Sequence, residues 1–574
     1  MKKYVVREAI PKDVDQILLA YPELMRSLLY YRDIITPEQA HEFLNPNYET
    51  GVHDPYLLKD MEKAVQRILK AIDKKEKMLV YSDYDADGIP AAVVMHDFFK
   101  LIGYSNFDIY IPHRHHEGFG LHMEAVEKFK EQGVGLIITL DCGITDVEEV
   151  EHANKLGIDV IITDHHMPGL TIPPAYAIVN PKQSECEYPY DMLCGSGVAF
   201  KLVQGILKKY HLGLSATPFN LRGDKGVILK SGCEKWLLDM VGLATLSDMV
   251  PLVGENRVFA HYGLKVLRKS RRPGIQKLVS LLKMQQEHLT EDDVGFMITP
   301  RINAASRMGV PTDAFKMLSE TDEVIADGYV QHLNEINNER KGLVASLVKE
   351  IKKTLEERRD HFQSQHIIVL GNPAWRPALL GLAANTIAEE FNKPVFLWGR
   401  EDGKYIKGSC RSDGVQDLVK IMQGAKDNFV DYGGHKFSGG FSVEHDKIHT
   451  LEEALLKSCD EITIEGARVE GHAFIDAVLD LDSVNWKTHD VVDKLAPFGM
   501  GNPKPLFLFK NIAPSEVKAF GKAKEHLDIG FTNSKNKQIR AIGFFIKPED
   551  FDVIPETGKP IDLIATIEKS MFRN

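Results

Sequence analysis

The sequence predicts a multidomain α/β protein with a further β-barrel. Its 574 residues exceed the roughly 250 to 300 residues that one hydrophobic core usually serves. Between residues 55 and 320, short apolar runs alternate with stretches of helical periodicity, which is typical of βαβ units and a parallel sheet. After residue 465, glycine-punctuated strands predict a small barrel. The predicted strands of the parallel sheet are 78–80, 107–111, 136–140, 159–163 and 176–179.

The same patterns divide the chain into five predicted segments. Thr36 is a predicted helix N-cap in the first segment, and Thr145 with Glu148 forms a predicted capping box in the second. An apolar stripe at helical spacing predicts one long helix, although Gly328 and Gly342 are weak points in it. The segments are a helical lead-in (1–54), a parallel-sheet domain (55–320), a connecting helix (321–358), a second α/β domain (359–464) and the β-barrel (465–574).

Composition limits the function classes. No apolar run approaches the ~18 residues of a membrane span, and no signal peptide is evident. The six cysteines form no C-x-x-C pair, so neither a zinc ribbon nor a disulfide framework is predicted and the cytoplasm fits best. A formal net charge of −12 argues against a broad basic surface for duplex DNA, but not against a nucleic-acid enzyme with a local groove.

Three carboxylates lie at alternate positions directly after the first predicted strand. Asp83, Asp85 and Asp87 precede Gly88, which opens a predicted helix with proline in its first turn. Alternate residues of an extended segment point the same way, so these charges would repel one another unless divalent cations neutralised them. Carboxylate oxygens suit Mg²⁺ or Mn²⁺. An acidic, solvated turn is the alternative interpretation.

Further acids and imidazoles follow other apolar segments. Asp141 follows the strand predicted at 136–140, Asp164 to His166 follow the strand at 159–163, and Asp248 lies in a later apolar segment. A single aspartate after a strand usually caps a helix. Four such groups at strand ends instead favour one ligand site, because parallel strands end at a shared edge of their sheet.

These motifs together resemble those of the DHH phosphoesterases, and among them the RecJ family of single-strand-specific exonucleases. Residues 111–121, 193–202 and 300–308 are also similar to that family. Residues 408–412 and 433–441 resemble the glycine-rich signatures of the DHH-associated domain, although tight turns explain them equally well. Residues 495–503 resemble the loop of the RecJ OB-fold. The chain departs from the pattern at Tyr81 and Arg376, where histidine is usual, and at 571–574, where the family's barrel continues into another strand.

The resemblance implies a metal-dependent 5′-to-3′ exonuclease of single-stranded DNA, active in repair and recombination with two Mn²⁺ or Mg²⁺ ions. A groove between the DHH and DHH-associated halves would admit one strand. By resemblance, Asp141 bridges the metals, Asp85 serves one of them, and Asp87, His165 and Asp248 serve the other. The resemblance also implies catalytic or orienting roles for His166, Asp83, Asp164 and Arg301, and substrate contacts for Arg114, Arg307, Ser409, Arg411, Gly434 and His435, of which Arg114, Ser409 and Arg411 would hold the 5′-phosphate.

Two other functions stay open at this point. One is a DHH phosphodiesterase for short oligonucleotides or cyclic dinucleotides, which the chain length and the extra barrel disfavour. The other is an inactive replication scaffold, which the intact set of acids and histidines disfavours. The implied partners are the 5′ end of single-stranded DNA, a helicase and a single-strand-binding protein. A monomer without membrane association is expected.

Overall fold

The computed structural model describes residues 3–213, 230, 232–400, 404–465, 472–521, 524–551 and 553–569. The described chain forms two compact units. The larger unit contains residues 4–306, 310–330 and those after 473, and the smaller unit contains residue 3 together with 307–309 and 331–473. The five predicted segment boundaries stay a prediction.

Strands and helices alternate along most of the chain. The strands are β1 (Lys3–Val6), β2 (Lys77–Ser82), β3 (Phe107–Tyr110), β4 (Val134–Leu140), β5 (Asp159–Thr163), β6 (Ala177–Val179), β7 (Ile368–Gly371), β8 (Val395–Gly399), β9 (Ile406–Arg411), β10 (Asp431–His435), β11 (Ser438–Val443), β12 (His472–Ile475), β13 (Ala477–Leu479), β14 (Phe507–Ile512), β15 (Glu516–Phe520), β16 (His526–Thr532), β17 (Gln538–Gly543) and β18 (Ile561–Ala565).

The helices of the first half are α1 (Lys12–Ile17), α2 (Glu23–Tyr30), α3 (Pro37–Leu44), α4 (Tyr48–Gly51), α5 (Met61–Asp73), α6 (Gly88–Leu101), α7 (Met123–Glu131), α8 (Val147–Lys155), α9 (Gly195–Gly213), α10 (Leu238–Ser247), α11 (Gly254–Leu267) and α12 (Pro273–Leu281). Those of the second half are α13 (Thr299–Met308), α14 (Thr312–Ser319), α15 (Glu323–Glu357), α16 (Arg359–Gln363), α17 (Pro377–Phe391), α18 (Leu418–Gly424), α19 (Ile448–Glu465) and α20 (Trp486–Asp493). None of the described helices is long and apolar enough to cross a membrane.

A five-stranded parallel sheet forms the centre of the larger unit, in the order β3-β2-β4-β5-β6. Its strands lie within two residues of the predicted ones. β2 and β4 are almost entirely buried, as expected for strands with helices on both faces of their sheet. Asp83, Asp141 and Asp164 each follow a strand directly. Their backbone N–H groups donate to Leu140, Thr163 and Val179, so the carboxyl ends of the strands continue side by side.

The N-terminal segment packs against residues far along the chain. Thr36 is the N-cap of α3, as predicted, and it also forms a capping box with Gln39. β1 is an unpredicted strand that pairs with β12. The side chains of Tyr4, Val5 and Val6 are exposed, and the sequence there has no alternating apolar pattern that could have indicated a strand. Leu18, Met25 and Leu28 share a hydrophobic cluster with Leu495. From Tyr4 onward the segment lies in the larger unit.

The predicted capping box at Thr145 is wrong. Helix α8 begins at Val147 after Asp146, and no side chain caps it. The Asp146 carboxylate instead accepts a hydrogen bond from Leu121 N at 2.6 Å. That longer-range contact fixes the turn and leaves Thr145 outside the helix.

Two three-stranded sheets, β13-β14-β18 and β15-β16-β17, form the C-terminal part of the larger unit. Both contribute to one hydrophobic core, in which Phe507, Phe509, Leu527 and Phe531 are buried. The departure noted at 571–574 lies outside the described residues. The strands of this part agree with the glycine-punctuated pattern that predicted them.

The smaller unit contains a mixed five-stranded sheet in the order β10-β11-β9-β8-β7. The interpretation of the two glycine-rich segments as tight turns is wrong for 408–411, which lies in β9. The segment 433–441 does contain a tight turn, at 436–437 between β10 and β11. A Cβ at Gly408 would come within 2.1 Å of the Phe441 ring. Glycine is needed there for packing between strands. Helix α15 runs for 35 residues without a break at Gly328 or Gly342.

Candidate metal centre

The loop after β2 places three carboxylates at the start of α6. The Asp85 carboxylate accepts hydrogen bonds from Asp87 N at 2.7 Å and Gly88 N at 3.1 Å, which fixes the turn. A Cβ at position 88 would come within 2.4 Å of the Asp83 carbonyl oxygen. The tight turn that gathers the carboxylates therefore requires glycine at its end.

The start of α9 holds Asp87. Its two carboxylate oxygens accept hydrogen bonds from Gly195 N at 2.6 Å and Ser196 N at 2.7 Å. The Ser196 hydroxyl donates to the Asp87 carbonyl at 2.7 Å. Helix N-terminal N–H groups favour negative charge, so this contact orients Asp87 and opposes the rise in its pKa that burial causes.

Three carboxylates surround one nitrogen of His165. His165 Nε2 lies 3.2 Å from Asp141, 3.7 Å from Asp248 and 3.8 Å from Asp87. Asp248 does not follow a strand, contrary to the predicted strand-end pattern, because it comes directly after helix α10. The sheet edge thus supplies only part of the site.

Asp164 orients the second histidine. One of its oxygens accepts hydrogen bonds from His165 N at 2.7 Å, His166 N at 3.1 Å and His166 Nδ1 at 2.8 Å, and the other accepts from Ile144 N at 3.0 Å. Burial alone would raise the pKa of Asp164, but His166 outweighs it and lowers that pKa. For His166 the directions are reversed. Burial alone would lower the pKa of His166, but the hydrogen bond to Asp164 outweighs burial and raises that pKa.

The donor atoms form three overlapping groups among the described residues. Within each group, all ligand atoms lie within 4.8 Å of one another. Asp141 and His165 each belong to two of the groups. The groups are Asp141, His165 and His166; Asp87, His165 and Asp248; and Asp83, Asp85 and Asp141.

The electrostatics of these groups fit divalent cations. Burial, followed by the neighbouring carboxylates, raises the pKa of Asp141 and Asp248 well above the usual value and that of Asp87 to about 6. Burial lowers the pKa of His165 to about 3, so its imidazole is neutral and able to bind a metal. Buried carboxylate oxygens of Asp83, Asp141 and Asp248 have no hydrogen-bond partner in the described part of the chain. Oxygen and imidazole donors in this state suit Mn²⁺ or Mg²⁺.

Two predicted arginines lie in the larger unit with these groups. Arg301 is buried on α13 and donates to the Met297 carbonyl at 2.5 Å. The Arg114 guanidinium lies 5.1 Å from the centre of the Tyr84 ring. Tyr84 is the residue between Asp83 and Asp85 in the sequence. Arg114 is therefore close to the carboxylate loop itself.

The other predicted substrate residues lie in the smaller unit. Arg307 donates to the Ala378 carbonyl at 2.9 Å, and Arg411, the last residue of β9, donates to the Cys410 carbonyl at 2.7 Å. Ser409 pairs with Gly440 on the neighbouring strand. Gly434 has φ of +143°, and a Cβ there would come within 2.3 Å of the Ser438 carbonyl. His435 pairs with Ser438 at the end of the hairpin.

Tyr81, the departure from the usual histidine, points away from the donor groups. It is fully buried, stacks on Tyr110 with ring centroids 5.4 Å apart, and donates to the Gly120 carbonyl at 2.7 Å. Asp83, Asp85 and Asp141 form their group without a residue at position 81.

Sequence reasoning missed the residues that support the donors. Asn303 accepts a hydrogen bond from Ala86 N at 3.0 Å and so holds the carboxylate loop. Lys182 lies near enough to Asp248 and Asp164 for its charge to act on both, and burial lowers its pKa. Gly195, Ser196 and Asn303 lie in motifs similar to the DHH family. Their roles as supports of the metal-binding carboxylates become visible only from their hydrogen bonds in the folded protein.

Family models and relatives agree with this geometry. The model of the DHH family N-terminal domain matches residues 77–221, that of the DHHA1 domain matches 364–461, and that of the RecJ OB domain matches 475–574. The single-stranded-DNA-specific exonuclease RecJ of Haemophilus influenzae is 30% identical over 546 residues, which cover 92% of this chain and 89% of the relative. The chain belongs to the RecJ family of single-stranded-DNA-specific exonucleases. The predicted family and the enzyme class that goes with it are thereby confirmed.

Further RecJ proteins extend the comparison. RecJ of Bacillus subtilis is 33% identical over 96% of this chain, and the chain spans 66% of that relative's length. The Thermus thermophilus RecJ structure in complex with Mn²⁺ matches all of this chain and 77% of its own, with a TM-score of 0.78 at 24% identity, which confirms the predicted fold class. A structure of exonuclease RecJ bound to manganese is 28% identical, with a TM-score of 0.58, and the match covers 72% of this chain and 98% of that one.

Proposed function

We propose that this chain is a metal-dependent exonuclease that hydrolyses single-stranded DNA from its 5′ end. The observation that carries the proposal is the set of three overlapping donor groups, two of which contain Asp141 and two of which contain His165. Membership of the RecJ family supports the substrate, and the RecJ OB domain match supports single-strand binding. The 5′-to-3′ direction is part of this proposal.

Two divalent cations, Mn²⁺ or Mg²⁺, would be held by Asp85, Asp87, Asp141, His165 and Asp248. Asp83 and His166 also lie within these groups. When bound, such cations supply a hydroxide nucleophile at neutral pH and neutralise charge on the phosphoryl oxygens. The protein contributes the neutral imidazole of His165 and the fixed orientation of its carboxylates.

His166 is the proposed catalytic residue of the chain itself. Its Nδ1 is engaged by Asp164, so Nε2 is the nitrogen left to contact the scissile phosphate or to give a proton to the leaving group. Asp83 and Asp164 are proposed to orient this set, and Arg301 to stabilise charge that develops on the phosphate. The raised pKa of His166 suits a group that must carry a proton at neutral pH.

Six residues are proposed to contact the substrate: Arg114, Arg307, Ser409, Arg411, Gly434 and His435. Arginine binds phosphate oxygens with paired N–H groups, and glycine permits close approach of backbone N–H groups to a phosphate. We assign the terminal 5′-phosphate to Arg114, Ser409 and Arg411. Ordinary surface ion pairs would be the alternative role of these arginines.

Direction and strand preference are tested with end-labelled oligonucleotides. Purified protein with Mn²⁺ is given single strands labelled at the 5′ or the 3′ end, with blunt duplexes as controls. We expect the 5′ label to be released first as a mononucleotide and the duplex to persist. Efficient digestion of the duplex without a helicase would contradict the proposal, and hydrolysis confined to short oligonucleotides or cyclic dinucleotides would favour the alternative phosphodiesterase.

Recognition of the 5′-phosphate is tested with Arg411→Ala. Charge-assisted contacts to phosphate are worth roughly 1.5 to 3 kcal/mol, or about 10- to 150-fold. We expect a loss of that order in kcat/KM on 5′-phosphorylated strands and a much smaller loss on 5′-hydroxyl strands. Lys407→Ala removes an exposed cation of the same strand and is the matched control. An equal loss on both substrates would remove Arg411 from this role.

The biological setting follows from the same proposal. We infer that the protein acts as a monomer in the cytoplasm, in DNA repair and recombination. Because it acts on single strands, a helicase and a single-strand-binding protein are its expected partners. The absence of disulfides among its described cysteines agrees with a reducing compartment.

A further inference from the structure

Phe119 is an exposed aromatic residue next to the candidate metal centre. Its side chain is 46% exposed. Its ring centroid lies 5.6 Å from that of His166, with the planes at 75°. Isolated exposed apolar residues are common in folded proteins, so it is the position beside His166, rather than exposure alone, that distinguishes Phe119.

The loop that carries Phe119 is firmly anchored. The Gly120 carbonyl accepts a hydrogen bond from the buried Tyr81 hydroxyl at 2.7 Å, and Leu121 N donates to Asp146 at 2.6 Å. On the other side, Glu117 accepts hydrogen bonds from His113 N and from the Tyr110 hydroxyl. The ring is thus exposed on a held segment rather than on a loose one.

Glycines on both sides set the direction of the backbone at Phe119. Gly118 has φ of +91° and Gly120 has φ of +84°, conformations that other residues rarely adopt. A Cβ at Gly120 would also come within 2.7 Å of the Asp146 carboxylate. These two special positions are needed to carry the aromatic residue through the turn.

Other exposed apolar side chains flank the donors in the chain. Met167 follows His166 and is 65% exposed, and Met249 follows Asp248 and is 70% exposed. Met249 also adopts a left-handed backbone conformation, with φ of +59°. Apolar surface beside a set of buried charges suits a substrate that is charged at its phosphate and apolar at its base.

We infer that Phe119 stacks against the base of the nucleotide next to the scissile phosphate. This inference rests on the proposed function and adds a base contact at the metal centre, separate from any contact in the OB domain. Stacking tolerates every sequence because every base has a π face. Such a contact positions the terminal nucleotide without selecting its identity.

The test compares intact single strands with strands whose two 5′-terminal nucleotides lack bases. In the wild-type protein we expect kcat/KM to be about 5- to 150-fold higher on the intact strand, the range of one stacking contact. In Phe119→Ala this ratio should fall towards one, and in Phe119→Trp it should be kept. Phe119→Leu retains apolar bulk without a π face and should behave like Phe119→Ala.

The outcomes separate this inference from the proposed function. If the wild-type protein fails to release 5′ nucleotides from either strand, the proposed function fails. If the wild-type protein is active but the intact-to-abasic ratio is unchanged in Phe119→Ala, the stacking inference is overturned. Thermal unfolding of each variant shows whether a lost ratio reflects lost structure.

Discussion

At the scale of single residues, Asp141 combines an unusual backbone conformation with a buried carboxylate that lies in two donor groups. Its backbone is left-handed, with φ of +60°, a conformation that aspartate tolerates better than most residues. Its carboxylate lies against His165 and belongs to two donor groups. Strained backbone at a buried charge is typical of functional sites, where the surroundings impose the geometry.

Asp141→Asn tests this residue. Activity should fall by at least about 100-fold, because even residues that only support metal ligands are worth 10- to 100-fold. The melting temperature in EDTA should not fall, since burial raises the pKa of Asp141 and a neutral amide removes that cost. Activity assays and thermal unfolding measure both effects. Near-wild-type hydrolysis by this variant would rule out a bridging role.

The acids and histidines of the metal centre could be predicted because carboxylate and imidazole groups are typical metal ligands. Asn303 could not, because an amide that accepts one backbone hydrogen bond looks like any other asparagine until the fold brings it to Ala86. Asp248 was found for an incomplete reason. Asp248 reaches the site from the end of α10. The residues before it are mostly apolar, and that pattern does not show whether they form a helix or a strand.

At the scale of elements, the start of α9 places two residues of the centre. Gly195 N binds Asp87, and a Cβ at Gly195 would come within 2.4 Å of the Asp141 carboxylate. Gly197, one half-turn further, has only ordinary contacts for a Cβ, at 3.5 Å or more. The two glycines of this motif therefore differ in what they permit.

Gly195→Ala should displace Asp141 and lower kcat by about 10- to 100-fold, the usual cost of disturbing a metal ligand's surroundings. Gly197→Ala is the matched control and should retain activity, with slightly higher helix stability. Steady-state kinetics with Mn²⁺ titration distinguishes the two. Equal activities would mean that the close approach at position 195 is relieved without cost.

Arg272 joins two of the helices that deliver donors. It forms ion pairs with Asp97 on α6 at 2.6 Å and with Asp239 on α10 at 2.8 Å. Burial alone would raise the pKa of Asp97, but His96 and Arg272 outweigh it and hold that pKa below its usual value. Asp97 therefore contributes stability above about pH 4, and that stability is lost as the pH falls through its lower folded pKa.

Arg272→Met should destabilise the larger unit by about 3 to 5 kcal/mol, since it leaves carboxylates without their cation in a largely buried position. Arg271→Met, at the exposed neighbouring position, should change little. Thermal unfolding at pH 7 and at about pH 3, below the ordinary pKa of aspartate, measures both effects, and the difference in unfolding free energy between variant and wild type should narrow at the lower pH. A constant difference would mean that Asp97 does not titrate with the pair.

Elements with strong periodicity could be predicted, and those defined by glycine could not. The parallel strands and α15 follow from apolar runs and a helical stripe that many residues share. The segment around Gly408 suggested a turn because glycine serves turns and close packing alike, whereas the segment that contains Gly434 does turn, at 436–437. Only the Phe441 ring above Gly408 shows which use applies.

At the scale of the molecule, all three donor groups lie in the larger unit. Ions that bind only the folded state should therefore stabilise that unit and leave the smaller one unchanged. At a Mn²⁺ concentration 100 times the dissociation constant, the gain is about 2.7 kcal/mol. Calorimetry with and without EDTA should show one transition that moves and one that does not. A shift of both transitions, or of neither, would contradict this.

The packing of the N-terminal helices has a consequence for synthesis. Arg32 donates to Asn502 across 470 residues of sequence, and Leu18, Met25 and Leu28 are covered in part by Leu495. At 5 to 20 residues per second, a ribosome needs roughly 25 to 95 s to bring out the second partner after the first. During that time the apolar side chains of Leu18, Met25 and Leu28 lack their contact with Leu495. The larger unit can close only when nearly all of its chain has left the ribosome, so chaperones that shield nascent apolar segments would have their longest task at the N-terminus.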